Sequence, residues 1–410
     1  MRIRYLLASV FILSVCAAPP ARVNRSEKSF ESPAILPGSQ PGTLSTSLAG
    51  DWPVDRNATP ETRALYLNLK KLSGKQILFG QQDALAYGVG RSHPDSGYCD
   101  VRDVCGSYPA VYGWDIGNIS ASTNVDNVHF KKIRRLIREG YGRGGIITIS
   151  WHEGNPATGG GVNDTKPSGA RLLPGGDAHT ELVRRLTLVG DFFRSLQDED
   201  GKPIPVIFRP YHEHNGDWFW WGTKGCTEEE YRALFRFTVS FLRDSLRIHQ
   251  LLYAISPDKS RMNPAALERC MLYAWPGDDC VDIFGLDNYW DVGNVANYDP
   301  SVSRMQQDTL FIESLRTLAD LAGRRNKIPA LTETGCNALT EVNWYTDRIL
   351  RPLRRYPDLR RIAWILVWRN ANPRHFYTPY PGHPSSQDFI DLKNDELILF
   401  EDEMPPMYRL

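Results

Sequence analysis

Two glutamates far apart in the chain, Glu213 and Glu333, each close a short apolar run. Glu213 lies in Phe-Arg-Pro-Tyr-His-Glu-His-Asn-Gly-Asp-Trp-Phe-Trp-Trp-Gly at 208–222, where an apolar segment ends in a carboxylate followed by a dense aromatic platform. A carboxyl wrapped by Trp218, Trp220 and Trp221 is expected to keep its proton near neutrality and to act as a general acid. Glu333 lies in Ala-Leu-Thr-Glu-Thr-Gly at 330–335 and supplies the second carboxyl that glycoside cleavage requires. Surface exposure is the ordinary fate of glutamate. Neither of these lies on a polar helix face, and both follow apolar strands.

Eight apolar or β-branched runs, bounded by turn residues, can position this pair: 76–80, 110–114, 146–151, 206–211, 251–255, 283–286, 329–332 and 362–368. Continuous apolar runs suit strands buried on both faces. Helix-forming segments separate them, such as Thr227-Glu-Glu-Glu followed by Tyr231, Leu234, Phe235, Thr238 and Phe241, and the segments 61–72 and 308–322. Strand and helix alternating in this way predict an α/β chain folded as a (β/α)8 TIM barrel. An open doubly wound sheet would need a Gly-rich phosphate loop after its first strand, which Phe-Gly-Gln-Gln-Asp at 79–83 does not supply. Asp83, Asp115, His152, Glu213, Asp258, Asp287, Glu333 and Arg369 fall at successive strand ends, the face on which barrel enzymes carry their sites. The stretch 388–400 is expected to be a last helix, and the Gly-rich stretch 154–162 either shapes one end of a cleft or is a mobile insertion.

The 410 residues suffice for one large barrel, and acidic and basic side chains balance at 48 each. That balance leaves no electrostatic footprint for nucleic acid or an anionic membrane, and no obligatory protein partner is expected. Eleven tryptophans and eighteen tyrosines suit a neutral sugar ligand. Residues 1–18 read as an export signal, with a basic start and an apolar stretch too short to span a bilayer. Cys16 lies in a lipobox-like Leu-Ser-Val-Cys, so the expected destination is the periplasm, a lipid anchor in the envelope, or secretion. Residues 19–51 read as a flexible linker and 52–410 as the barrel domain. Cys99 with Cys105 and Cys270 with Cys280 are near neighbours, and disulfides are expected in an exported chain. No cysteine or histidine spacing matches a metal site.

The motifs at 209–222 and 332–335 resemble glycoside hydrolase family 26, whose best-known members are β-mannanases. Supporting segments are Gly-Lys-Gln-Ile-Leu-Phe-Gly-Gln-Gln-Asp at 74–83, Tyr-Pro-Ala-Val-Tyr-Gly-Trp-Asp at 108–115, Ser-Trp-His at 150–152, Phe-Gly-Leu-Asp-Asn-Tyr-Trp at 284–290 and Trp-Arg at 368–369. The family usually has a histidine at the place of Gln81. The resemblance implies a retaining barrel enzyme with Glu213 as acid/base, Glu333 as nucleophile, and no metal or organic cofactor. Retention calls for carboxyls about 5 to 5.5 Å apart, inversion for about 6.5 to 9.5 Å. Glu333 must be ionised to attack, and Tyr289 and Arg369 are the expected hydrogen-bond donors around it. His212 and His152 are candidates for binding sugar hydroxyls, or else for packing at strand ends. Trp218 and Trp368 are candidate stacking platforms, and one of Trp220 and Trp221 is expected to pack beneath the loop. Asp287 is expected to orient Tyr289 or a substrate hydroxyl, or else to cap a helix. The implied substrate is β-1,4-linked mannan, galactomannan or glucomannan. A β-1,3-xylan or mixed-linkage glucan is the alternative within the family, and a glycan-binding protein without catalysis is the alternative outside it.

Overall fold

The computed structural model describes residues 52–90, 98–294 and 299–410, so the expected export signal, Cys16 and the expected linker lie outside the described residues. Eight strands form the frame: β1 (Ile77–Gln82), β2 (Val111–Asp115), β3 (Ile146–Trp151), β4 (Val206–Pro210), β5 (Leu251–Ile255), β6 (Ile283–Asn288), β7 (Ile328–Thr334) and β8 (Trp364–Val367). Each pairs in parallel with the next, and β1 pairs with both β8 and β2, which closes the ring. Helices fill the connections, among them Phe130–Gly142, His179–Arg194, Glu228–Ser240 and Arg304–Arg324. This is the expected (β/α)8 barrel.

Every strand residue is buried, because one face meets the helices and the other fills the barrel. Leu78, Val111, Ile146, Ile207, Leu252, Ile283, Ile328 and Trp364 belong to one apolar cluster, together with Leu65, Tyr66 and Leu69 of the helix Pro60–Leu72 and Met407 of the tail. That helix and the tail therefore plug the N-terminal mouth. Further along each strand the same inward-pointing series turns polar, through Gln82, Asp115, Ser150, Arg209, Ser256 and Asp287. The apolar end anchors the barrel and the polar end carries the chemistry.

Three expectations need correction. The stretch 388–400 is a helix only in its first part: the helix Ser386–Lys393 is followed by a short strand, β9 (Ile398–Leu399), paired with the start of β1. The cysteines at 99, 105, 226, 270, 280 and 336 are all free. Cys99 and Cys105 stand at opposite ends of the helix Asp100–Cys105, a rise of about 9 Å, which exceeds disulfide reach. The Cys280 thiol instead donates to the carbonyls of Pro276 and Gly277, and burial pushes it up to about 12. The stretch 154–162 is an ordered support: Asn155 donates to Ser168 Oγ, and the Trp220 amide donates to the Val162 carbonyl, both within 3.0 Å. Among the described residues no helix is long and apolar enough to cross a membrane.

The helix Glu228–Ser240 follows the aromatic loop and begins with a reciprocal capping box. Thr227 Oγ1 accepts from the Glu230 amide at 3.2 Å, and Glu230 Oε2 accepts from the Thr227 amide at 2.8 Å. Thr227→Ala is expected to cost about 1 kcal/mol and roughly 2 °C in Tm without changing kcat, measured by thermal melts beside an activity assay.

Candidate active site

β4 ends at Pro210, and the chain then turns sharply, with Tyr211 at φ 53° and Glu213 at φ 54°. Left-handed backbone at bulky residues is unfavourable and has to be held by its surroundings. Here the Glu213 amide donates to the Ser256 carbonyl at 2.7 Å, and the Tyr211 ring is fully buried between Trp220 and Trp221. The turn delivers the Glu213 carboxyl to a cleft of 520 Å³ lined also by His152, His212, Trp218, Asp258, Tyr289, Glu333 and Trp368.

Glu333 reaches the same cleft by an irregularity in β7. Ile328 and Ala330 point into the barrel, so strict alternation would send Glu333 outward. The register against β6 shifts instead: Leu286 faces Leu331, while Asp287 faces Glu333. The extra residue, Thr332, is absorbed there, and both it and Glu333 present their polar groups inward.

The carboxyl of Glu333 is held from two sides. Arg209 Nη2 donates to Oε1, and the Tyr289 hydroxyl donates to Oε2 at 3.0 Å. Arg209 Nη1 simultaneously donates to Asp287 Oδ2 at 2.8 Å and to Ser256 Oγ at 2.9 Å. Asp287 is completed by Thr332 Oγ1 at 2.6 Å and Ser256 Oγ at 3.0 Å. Burial raises the Asp287 carboxyl above its ordinary value, with Arg209 opposing the rise and Glu333 adding to it. Asp287 and Glu333 in turn hold the Arg209 guanidinium above its ordinary value against the cost of burial.

Glu213 has the opposite surroundings. Burial and the charges of Asp258, Asp287 and Glu333 push its carboxyl well above the usual range, against the Trp218 indole N–H at 2.8 Å from Oε2. The rise comes from desolvation and like charge rather than from the tryptophans as a group. Trp220 and Trp221 are both fully buried beneath the loop, donating to the carbonyls of Glu153 and His212. Trp218 lies flat on Gly216, where an added Cβ would come within 2.4 Å of the ring.

Around the pair, His152 bonds Asp115 at 2.7 Å and packs edge-on against His212, ring centroids 4.4 Å apart. Burial lowers the His152 imidazole, but the Asp115 charge and hydrogen bond outweigh it and raise the imidazole overall. His212 is pushed well below its ordinary value by burial and by the charges of Arg209, His152 and His214, so it is neutral. His214 turns away, stacking on Tyr231 and bonding the Tyr273 carbonyl.

Two sequence assignments are displaced. Arg369 does not reach Glu333; it pairs with Asp126 at 2.8 Å and donates to the Tyr87 hydroxyl at 3.1 Å, because β8 ends at Val367 and the chain turns aside. Asp287 neither caps a helix nor orients Tyr289; it lies beneath the cleft and anchors Arg209. Arg209 shows in the sequence only as a charge inside an apolar strand. Tyr377, Asn294, Ser260 and Arg261 also line the cleft, and their loops carry no motif that sequence reasoning could use. Gln81 is buried and donates to Thr378 Oγ1 at 2.9 Å, supporting the loop that carries Tyr377.

One carboxylate oxygen each of Glu213, Asp287 and Glu333 lie within 4.8 Å of one another, a spacing that could hold a cation. The guanidinium of Arg209 already stands against two of the three. A larger recess of 1330 Å³, between Arg143, Glu401 and Tyr408, opens at the N-terminal side, where Arg143 is paired to Glu401 at 3.0 Å. Acidic residues line it too, Glu139, Asp198 and Glu199 among them, but among the described residues they do not converge as the three in the cleft do.

A parallel barrel with two unlike carboxyls at the ends of β4 and β7 defines the class of barrel glycoside hydrolases. The chain belongs to glycosyl hydrolase family 26, whose family model matches residues 54–336. It is 36% identical over 287 residues to a mannan endo-1,4-β-mannosidase of Bifidobacterium adolescentis, a match covering 68% of this chain and 27% of that protein. The chain thus spans about a quarter of that relative. Among solved structures it is similar to a family 26 β-mannanase from Bacteroides ovatus, with TM-score 0.78 and 38% identity, covering 86% of this chain and 98% of that one. A modular endo-β-1,4-mannanase from Cellulomonas fimi gives TM-score 0.78 and 32% identity, covering 87% and 79%.

Arg209→Met is expected to leave Asp287 and Glu333 buried without a counter-charge, lowering stability by roughly 3–5 kcal/mol in urea unfolding and abolishing hydrolysis. Glu213 yields a prediction of opposite sign. Its folded carboxyl keeps a proton that the unfolded chain loses above about pH 4.3, so stability falls as pH rises through that window. Glu213→Gln is therefore expected to melt above wild type at pH 8, with the gap shrinking by pH 4; an equal gap at both would contradict the assignment.

Proposed function

We propose that the protein hydrolyses β-1,4-mannosidic bonds of mannan, galactomannan or glucomannan by double displacement, with Glu333 as nucleophile and Glu213 as acid/base. The observation that carries this reading is the contrast within one pair. Oxygens of Glu213 and Glu333 lie within 4.8 Å, one carboxyl gripped by Arg209 and Tyr289, the other raised by burial and like charge. That spacing favours retention, since an inverting pair would stand about 6.5 to 9.5 Å apart to admit water.

In the first step a Glu333 oxygen attacks the anomeric carbon while Glu213 gives its proton to the departing glycosidic oxygen. The C–O bond to the leaving chain breaks and a glycosyl ester on Glu333 forms. In the second step Glu213, now a carboxylate, takes a proton from water. The hydroxide attacks the same carbon, and Glu333 departs as a carboxylate. Arg209 and Tyr289 receive that carboxylate and orient it for the next cycle. Neutral His212 and the Asp115-bonded His152 offer polar edges to sugar hydroxyls, and Trp218 and Trp368 offer faces for stacking. Mannan as substrate rests on the names of the relatives, and export to the periplasm or the cell envelope rests on residues 1–18.

The test is the time course of products from galactomannan, with Glu333→Gln alongside. A spread of manno-oligosaccharides is expected from wild type, with the variant slower by roughly a thousandfold or more, since the covalent step is lost. Products from xylan or mixed-linkage glucan, and none from mannan, would overturn the substrate. Undiminished sugar binding with no hydrolysis of any β-glycan would leave only a binding protein.

A further inference from the structure

Besides Glu213 and Glu333 in the cleft and Asp287 beneath it, a fourth carboxyl, that of Asp258, stands at the site. Asp258 follows β5 in Ser-Pro-Asp-Lys-Ser-Arg at 256–261, lines the cleft, and is only 4% exposed. Its backbone is fastened to the turn that carries Glu213. The Asp258 amide donates to Asn215 Oδ1 and Asn215 Nδ2 donates to the Asp258 carbonyl, each at 2.7 Å. On the other side Asp258 forms an isolated parallel bridge with Asp287, whose amide bonds the Pro257 carbonyl at 3.1 Å.

The carboxyl itself is held by one oxygen. Oδ1 accepts from the Ser260 amide at 2.8 Å and from the Ser260 hydroxyl. Among the described residues Oδ2 has no protein hydrogen bond, and it is not sealed from the cleft. The adjacent cations have their ion pairs elsewhere: Lys259 pairs with buried Asp291 at 3.2 Å, and Arg261 pairs with Asp217 at 2.9 Å, acting on Asp258 only through its charge, which opposes the effect of burial. A packing role alone would be served by asparagine, which accepts the same two Ser260 bonds without the cost of burying a charge.

We propose that Asp258 is a positioning residue of the reaction: its carboxylate, fixed beside Glu213 by Asn215 and Ser260, holds the catalytic proton on Glu213 and sets the alkaline end of the working range. The inference rests on Glu213 being the acid. The charged and titratable groups facing Glu213 are Asp258 from β5, Asp287 and Tyr289 from β6, Glu333 from β7, and Arg209 and His212 from its own strand and turn. Of the charged neighbours, Asp258 acts most strongly on Glu213. Burial raises Asp258 itself to about 6, so its charge is present above that pH, where Glu213 most needs help to keep its proton.

The test is the pH profile of kcat/KM on a manno-oligosaccharide for wild type, Asp258→Asn and Asp258→Glu, each checked for folding by thermal melt. Removing the charge is expected to move the alkaline limb down by about one pH unit, while Asp258→Glu keeps it near wild type. If Asp258→Asn does not fold, Asp258→Ala is read in the same way. A rate reduced at every pH with the limb unmoved would mean a structural role and overturn the proposal. Glu213→Ala, assayed on an aryl mannoside whose leaving group needs no proton, separates the two levels. If the alkaline limb persists there, Glu213 is not the acid and the underlying reading fails, however Asp258 behaves.

Discussion

The guanidinium of Arg209, clamped between Asp287 and Glu333 in the barrel, is the interaction on which the site depends. A buried arginine is tolerable only with its charge matched and its donors used, and here the planar fork meets two carboxylates and Ser256 Oγ. The arrangement links β4, β5, β6 and β7 at their C-terminal ends. It also fixes one oxygen of Glu333 so that the other, steadied by Tyr289, can face a substrate. Such a network adds little net stability against an apolar core, and its return is geometric.

From that clamp the difference between the two glutamates follows. Glu333 meets donors and a cation; Glu213 meets burial and three negative neighbours, relieved only by the Trp218 indole. Identical side chains on one barrel rim thus meet opposite surroundings, a contrast of the kind that acid/base chemistry uses. The left-handed turn at Tyr211 and Glu213 and the register shift in β7 are local departures from regular backbone that aim the two groups at one point. Both occur beside the chemistry, while the apolar end of the barrel stays regular.

The barrel was legible because strands buried on both faces read as continuous apolar runs; all eight runs correspond to strands, with ends shifted by a few residues. The glutamates were legible because each breaks such a run with a charge. What stayed hidden depends on three-dimensional placement. The shift between Leu286 and Asp287 has no sequence signature, and Asp287, expected to orient Tyr289 or a substrate hydroxyl or to cap a helix, is instead buried beneath the cleft. Arg369 was assigned to Glu333 by its place after a strand, and the direction of the turn after Val367 sends it to Asp126. Cysteine spacing points to two bridges; the length of a helix forbids that between Cys99 and Cys105, and Cys270 and Cys280 are likewise free. Arg209 is the one signal of the clamp that the sequence carries, a guanidinium in a strand otherwise fit for a core.

The central claim is that Glu333 becomes covalently bound to sugar during turnover. The most direct measurement is intact-mass analysis of the protein after reaction with an activated 2-deoxy-2-fluoro-mannoside, whose fluorine slows the second step, followed by peptide mapping. The account predicts a mass increase of one fluorosugar, located on Glu333 and released on adding an acceptor. A protein that hydrolyses mannan yet gains no sugar under these conditions, or carries it on another residue, would contradict it.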